Sequence, residues 1–456
     1  MNGRALSVEV CCLAAAVVIS GCSSNSDSGV RSLPADEGGP GGSTCPSPVA
    51  IDGKAAERTA CTFGSGAVVA DTLGISDAAR RKIPIQHVVV MMQENRAYDH
   101  LFGKLGDAQP DSEPIPDSFS NVDAAGNVVN PFHLTSTCVP SDPAHQWDDM
   151  HAEVDGGKMD GFVKNAAATS SPSSDGHFVM GYYEEADLPF YYFLAKTFSL
   201  ADRYFPSVRS GTWANRDYLY AATSDGIKNT LQANGILSPD IPTIFSELTQ
   251  ASVTWNVYAD NAPLSFALGW PLTHEGVRPV QDLIDGFASG NLPSVVFVDG
   301  KLNVEDDHPP ADLQVGEAWA KKVYDAAVAS PLWQSTVIFW TFDEAGGFAD
   351  HVPPPNNDCV ARPDNPNDKD FFELGVRVPL VAISPWARRH HVSHLQHEHT
   401  SITRFIELLF DLPALTARDA NSDALLDLFD FDCPNTDAIP TAPEAGTGGC
   451  HPDGGS

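Results

Sequence analysis

Positive charge is scarce in this chain of 456 residues: 27 Lys and Arg stand against 60 Asp and Glu, a formal net charge of −33. Such a surface repels polyanions, so nucleic acid and anionic membrane faces are excluded as partners held by charge. The acidity is otherwise a solubility feature. No Cys-x-x-Cys pair and no His-Glu-x-x-His segment occurs, which removes the zinc-ribbon and zincin readings. An internal repeat is lacking too. The apolar stretch near the start, Cys11 to Ile19, is too short for a transmembrane helix.

That stretch follows Arg4 and precedes Ser20-Gly21-Cys22. A charged start, a short apolar middle and small residues before a cleavage point predict a secretory signal over residues 1–21. The cysteine after Ser-Gly resembles a bacterial lipobox, which implies lipidation of Cys22. The expected protein is then an exported lipoprotein, periplasmic or at the cell surface, tethered to a membrane through that lipid. Residues 22–82 read as a lipid-anchored tether and lead-in, flexible where Ser, Gly, Asp and Pro dominate between Ser23 and Gly42. One large folded domain is expected over residues 83–431, with a surface arm over 432–456. Setting aside Cys11, Cys12 and Cys22 leaves Cys45, Cys61, Cys138, Cys359, Cys433 and Cys450. An even set in an exported chain predicts up to three disulfides. Cys45 with Cys61, near in sequence, is the pair expected first.

Along the domain, Val-rich runs predict strands at Ile83 to Met92, Ser252 to Tyr258, Ser294 to Val298, Val337 to Phe342 and Val378 to Ser384. Helical patterns lie between them at Asp187 to Leu200, Ala214 to Ala222, Ala311 to Ala329 and Thr400 to Phe410. Asp107 to Asp149 reads as irregular. Strands alternating with helices predict an α/β fold, a mostly parallel central sheet covered on both faces.

Two of these strands end in hard oxygen donors. The first runs into Glu94-Asn95-Arg96 and the second into Asp343-Glu344, with Gly346-Gly347 after it. In open α/β sheets ligands bind just beyond the carboxyl ends of strands, so both pairs are expected at one lip. Glu94, Asn95, Asp343 and Glu344 suit a single divalent cation of unspecified identity. A capping role for Asn95 and solvated loop acids are the plain alternatives. Thr212, after Gly211 and before a helix, is a candidate nucleophile because a nearby metal can ionise its hydroxyl. An ordinary helix cap is its alternative. Asn215 and Arg216, one turn on, are candidate donors to a phosphate. Asp307 and His308, in Asp306-Asp307-His308-Pro309-Pro310, and the separate His145 are candidates for acid–base work. The histidines at 390, 391, 394, 397 and 399 are read as loop and cap residues rather than a zinc site.

Together these segments resemble the bacterial phosphoesterase family that contains phospholipases C and acid phosphatase A. The matching pieces are the run from His87 to Arg96, Gly157-Lys158-Met159-Asp160-Gly161-Phe162, Asp202-Arg203-Tyr204-Phe205, Thr212 with Asn215-Arg216, and Asp307-His308-Pro309-Pro310. They continue through Asp343-Glu344-Ala345-Gly346-Gly347-Phe348, Asp350-His351-Val352-Pro353-Pro354, His399-Thr400-Ser401 and the closing run from Leu425 to Phe431. The order is kept from about Ile83 to Phe431. The resemblance implies an alkaline-phosphatase-like three-layer α/β/α sandwich and an exported, metal-dependent phosphoesterase. It further implies that Glu94, Asn95, Asp343 and Glu344 bind the metal and that Thr212 attacks phosphorus, forming a phosphothreonine. His145 and His308 would steady the phosphoryl oxygens or protonate the leaving group. The expected substrate is a phospholipid, cleaved as by a phospholipase C, or a small phosphomonoester, cleaved as by an acid phosphatase. A surface lipoprotein that keeps the fold as a binding module is the expectation from another class. Around the nucleophile, Arg209-Ser210-Gly211 and Ala214 replace proline-bearing surroundings common in the family, and Ala345 stands where a polar residue is common.

Overall fold

A computed structural model describes residues 53–170, 174–230, 237–265, 276–357, 359, 370–432, 439–447 and 449–450. The signal peptide, Cys22, most of the tether, Cys45 and Cys433 lie outside the described residues. Among the described residues, no helix is long and apolar enough to cross a membrane.

Eight strands form the central sheet: β1 (His87–Gln93), β2 (Ser199–Ala201), β3 (Trp255–Tyr258), β4 (Val277–Arg278), β5 (Val295–Val298), β6 (Thr336–Phe342), β7 (Leu380–Ile383) and β8 (His391–Ser393). Their spatial order is β8-β2-β7-β6-β1-β5-β3-β4. All neighbours are parallel except β7, which runs antiparallel to both β6 and β2. The two longest strands, β1 and β6, sit side by side at the centre, paired from His87↔Thr336 to Gln93↔Phe342. Their continuous apolar runs follow from burial on both faces; Val88 to Met92 and Val337 to Phe342 are all buried.

The main helices are α1 (Trp147–Val154), α2 (Pro189–Thr197), α3 (Thr212–Ala221), α4 (Val280–Ser289), α5 (Leu313–Val328) and α6 (His399–Phe410). They pack as two groups, α3 on α6, and α5 on both α4 and α2. This is the three-layer mixed α/β arrangement read from the sequence. Helix α2 stops at Thr197, short of the expected Leu200, because Ser199 to Ala201 pair with β7 and β8 instead. Tertiary pairing there overrides the helical pattern. Asp107 to Asp149 is irregular apart from short pieces such as the pairing of Asn121–Val122 with Val128–Val129.

The disulfides differ from the expected pairing. Cys61 bonds Cys359, not Cys45, and Cys138 bonds Cys450. Nearness in sequence misleads because the described lead-in is folded rather than free. Val69, Leu73 and Ile75 are buried against Leu408 and Ala424, which brings Cys61 to a distant loop. The described part of the C-terminal arm is likewise tied down, with Gly446 N donating to Glu317 at 3.0 Å.

The histidine-rich segment resolves into separate structural roles. His390 Nδ1 lies 2.6 Å from the Lys196 carbonyl, and His394 Nδ1 lies 2.9 Å from Asp202. Burial alone would drive the proton off His397. Asp423, 2.8 Å from its Nδ1, and Asp427, 3.5 Å from its Nε2, outweigh that and push its pKa up to about 10. The ring is an imidazolium clamped between carboxylates. An unfolded histidine titrates near ~6.5. The folded value lies above it, so the stabilisation is fully present below pH ~6.5 and is lost as pH rises through about 10. Replacing His397 with Gln is expected to flatten the fall in stability across that window, measured by urea denaturation at a series of pH values. An unaltered slope would show that the clamp contributes nothing.

Candidate active site

The shared register of β1 and β6 builds the floor of the site. Gln93 and Phe342 are opposite partners, so Glu94 and Asp343 leave the sheet side by side. Asn95 takes a left-handed conformation, φ 61°, which an asparagine tolerates better than most residues. Its backbone N donates to Asp343 Oδ1 at 3.0 Å, and the Glu344 N donates to the same oxygen at 2.8 Å. Gly346 turns the second strand's loop under Asn95; a Cβ there would lie 2.4 Å from the Asn95 carbonyl oxygen. A Cβ on Gly347 would lie 2.8 Å from Pro143 Cβ and 2.9 Å from the Ala144 oxygen. These two glycines let three chain segments converge.

All four expected metal donors are buried together. Asn95 Oδ1, Asp343 Oδ2 and Glu344 Oε1 have no hydrogen-bond partner. Buried oxygens of this kind are normally satisfied, and three orphans in one cluster fit a cation. Burial and then the neighbouring Asp343 push the Glu94 carboxyl well above its ordinary range, against the pull of Arg216. Burial and Asp343 do the same to Glu344. A divalent ion would relieve both, and an all-oxygen donor set suits a hard cation.

Thr212 opens α3, with Gly211 as its N-cap residue. Its hydroxyl donates to Glu94 Oε2 at 3.2 Å, which joins the nucleophile candidate to the donor cluster. On the other side stand His145 and His308, ring centroids 6.2 Å apart. His145 Nε2 lies 3.2 Å from Asn95 Nδ2 and 3.7 Å from Glu344 Oε1, while its Nδ1 is 2.7 Å from the Pro143 carbonyl. His308 Nδ1 is 2.8 Å from the Pro309 carbonyl. Asp142, which sequence reasoning missed, groups with these two histidines as a further set able to hold a metal. Its place three residues before His145 was the available signal.

Three expected residues have other work. Asn215 donates to the carbonyls of Ser210 and Gly211 at 2.7 and 3.3 Å and accepts from Val208 N at 3.0 Å. Its amide is used to fold the loop before Thr212 rather than to bind phosphate. Arg216 is fully buried, bonded to Glu94, to Asp299 at 2.8 Å and to the Met92 carbonyl at 3.0 Å. It fixes and partly neutralises Glu94 instead of presenting a fork to substrate. Asp307 does not hold His308. Its carboxyl accepts from the Tyr191 hydroxyl at 2.7 Å and lies against Gly316, where a Cβ would come within 1.8 Å of it. Burial raises it well above the usual carboxylate range. In each case the side chain is drawn inward by unpaired partners that a linear pattern does not display.

His399 supports the floor. Its Nε2 lies 2.7 Å from the Asp343 carbonyl and its Nδ1 2.8 Å from the Tyr204 hydroxyl. Burial lowers its pKa to about 4, so the ring is neutral and donates from Nε2.

The phosphoesterase family profile matches residues 85–413. Non-specific phospholipase C3 of Arabidopsis thaliana is 31% identical over 409 residues, covering 79% of this chain and 76% of that protein. Phospholipase C B of Mycobacterium tuberculosis is 30% identical over 450 residues, covering 85% of this chain and 86% of that protein. A solved structure of a protein in the alkaline phosphatase superfamily from Vibrio parahaemolyticus is similar with a TM-score of 0.35 and 10% identity, over 71% of this chain and 77% of that one. With its donor cluster, its hydroxyl and a match across most of its length, the chain belongs to the phosphoesterase family and is a hydrolase of phosphate-ester bonds.

Proposed function

We propose that this chain cleaves phosphodiesters in the manner of a phospholipase C, through a phosphothreonine formed on Thr212. The observation that carries the reading is the Thr212 hydroxyl, bonded to Glu94 among the unpartnered oxygens of Asn95, Asp343 and Glu344. Phosphoryl transfer needs positioning and charge neutralisation above all; the cluster positions Thr212 and would supply neutralisation through the cation it holds. The printed names of the relatives favour a phospholipid.

Glu94, Asn95, Asp343 and Glu344 would hold a divalent cation, which would supply charge neutralisation at phosphorus and favour the ionised hydroxyl. The chain's own residues do the rest. The Thr212 proton leaves along its hydrogen bond toward Glu94 Oε2 as the bond from Oγ1 to phosphorus forms. The bond from phosphorus to the lipid alcohol breaks, and that oxygen takes its proton from His308 Nε2. His308 Nδ1 is occupied by the Pro309 carbonyl, which leaves Nε2 for this transfer. His145 is held through Nδ1 by the Pro143 carbonyl; carrying a proton on Nε2 as well, it would donate to a phosphoryl oxygen in place of its contact with Asn95 Nδ2. Water then attacks the phosphothreonine while His308 Nε2 takes a water proton. Thr212 departs and recovers its proton from Glu94. Export with a lipid on Cys22 belongs to the same reading. Its support is the pair of disulfides, since such bonds persist in oxidising compartments.

Thr212→Ala is expected to lower kcat by about a thousandfold or more while leaving circular dichroism and metal content unchanged. Turnover within tenfold of the parent would remove the nucleophile assignment. Exhaustive chelation is expected to abolish hydrolysis, with recovery on adding back one divalent ion; elemental analysis of the recovered protein counts the ions. Full activity in stripped protein would end the metal reading. The deciding assay compares p-nitrophenylphosphorylcholine with p-nitrophenyl phosphate. Faster diester turnover is expected, whereas turnover of the monoester alone would make the enzyme a phosphatase. No turnover of either substrate across metals and pH would favour the binding module.

A further inference from the structure

His145 and His308 both reach the site on irregular backbone. Among the described residues, none of residues 139–145 takes part in a backbone–backbone hydrogen bond, and Pro140 and Pro143 have no N–H to donate. Just after it Gln146 caps α1, its N donating to Asp149 Oδ2 at 3.1 Å, and Asn165 Nδ2 donates to the Ala144 carbonyl at 3.4 Å; a second anchor lies just before it. Leu313 N donates to the Thr137 carbonyl at 3.0 Å, and Thr137 Oγ1 donates to Asp312 Oδ1 at 2.6 Å. Asp312 is the N-cap of α5 and stands four residues after His308. One junction therefore anchors both histidine-bearing segments.

The C-terminal segment closes over that junction. Cys450 is bonded to Cys138. Thr137 N donates to the Gly449 carbonyl at 3.1 Å, and Gly449 N donates to Gln314 Oε1 at 3.0 Å. The approach is close: a Cβ on Gly446 would lie 2.1 Å from Gln314 Nε2. Gly446 N also donates to Glu317 Oε2 at 3.0 Å. The other oxygen of Glu317 accepts from Phe190 N and Tyr191 N at 2.7 and 3.0 Å, at the first turn of α2. Tyr191 in turn donates to Asp307, the residue before His308. The segment thus bears on His145 from one side and on His308 from the other.

We propose that Gly446, Gly449 and Cys450 form a disulfide-locked strap that positions His145 against His308, so that turnover depends on the Cys138–Cys450 bond. The inference rests on the reading of the two histidines as acting residues. The strap touches none of Glu94, Asn95, Asp343 and Glu344, so an ion held by those four is expected to stay in the strap variants. A displacement of about 1 Å in a positioned group costs on the order of a hundredfold in rate.

The test uses the full chain with Cys138→Ser/Cys450→Ser, and separately Gln314→Ala, which removes the Gly449 N bond to Gln314 Oε1 and the Gln314 Nε2 bond to the Asp187 carbonyl without touching a cysteine. His145→Ala and His308→Ala are measured beside them. For the double variant, kcat is expected to fall by about tenfold to a hundredfold, with KM little changed, a displaced pH profile and parental metal content. Gln314→Ala is expected to move kcat and the pH profile in the same direction by less, and it serves alone if the double variant does not fold. Folded strap variants with parental kcat and pH profile, beside impaired histidine variants, would overturn the strap and leave the mechanism standing. Parental turnover in both histidine variants would instead remove the mechanism, and the strap with it.

Discussion

Three carboxylates, those of Glu94, Asp343 and Glu344, are buried together at the end of two adjacent strands, with one arginine side chain among them. Each buried charge loses several kcal/mol of hydration, and like charges at close range raise one another's pKa. Left alone, such a cluster takes up protons or comes apart. Everything around it works against that outcome. The parallel register of β1 with β6 brings the strand ends together. Arg216 anchors Glu94 from the helix that also carries Thr212, and backbone N–H groups hold Asp343 from two sides. The remaining imbalance is what a cation would relieve.

The same logic separates residues that react from residues that hold. Arg216 and Asn215 sit one turn from Thr212, yet the Asn215 amide and both terminal nitrogens of Arg216 are consumed by the protein. That consumption is useful: it fixes the helix start, and with it the distance from the Thr212 hydroxyl to Glu94. Asp307 behaves alike on the opposite side. Its side chain locks the backbone behind His308 through Tyr191. The same hydroxyl oxygen lies 2.9 Å from Gln93 Oε1, on the last residue of β1, so the floor and the histidine loop share one buried hydroxyl.

Much of this was legible in the sequence. The Val-rich runs marked the central strands, because strands buried on both faces cannot alternate with polar residues. The donors at their ends marked the lip of the sheet, since chemistry in such folds lies beyond the carboxyl ends. The short strands Ser199–Ala201 and His391–Ser393 were not legible. Three residues carry no period, and their extended form comes from neighbours in the sheet. The disulfide partners were hidden for a related reason: Cys61 and Cys359 are 298 positions apart, and only the packed lead-in brings them together. Nor could sequence show which polar side chains near Thr212 face inward. A buried arginine paired to Glu94 and a free one that binds phosphate are spelled alike.

Asn95 and Asp343 are hydrogen-bonded across 248 positions of chain, and no short fragment contains both sides of the donor set. The central pairing of β1 with β6 is therefore the event that creates the site, and closing so long a loop is costly. Until those strands meet, Glu94 and Glu344 are ordinary solvated acids with no particular affinity for a divalent ion. A cation held by these oxygens would therefore bind only once the sheet is complete, and would in turn favour its completion. A chain cut anywhere between the two strands regains its chemistry only if both pieces reassemble around that seam.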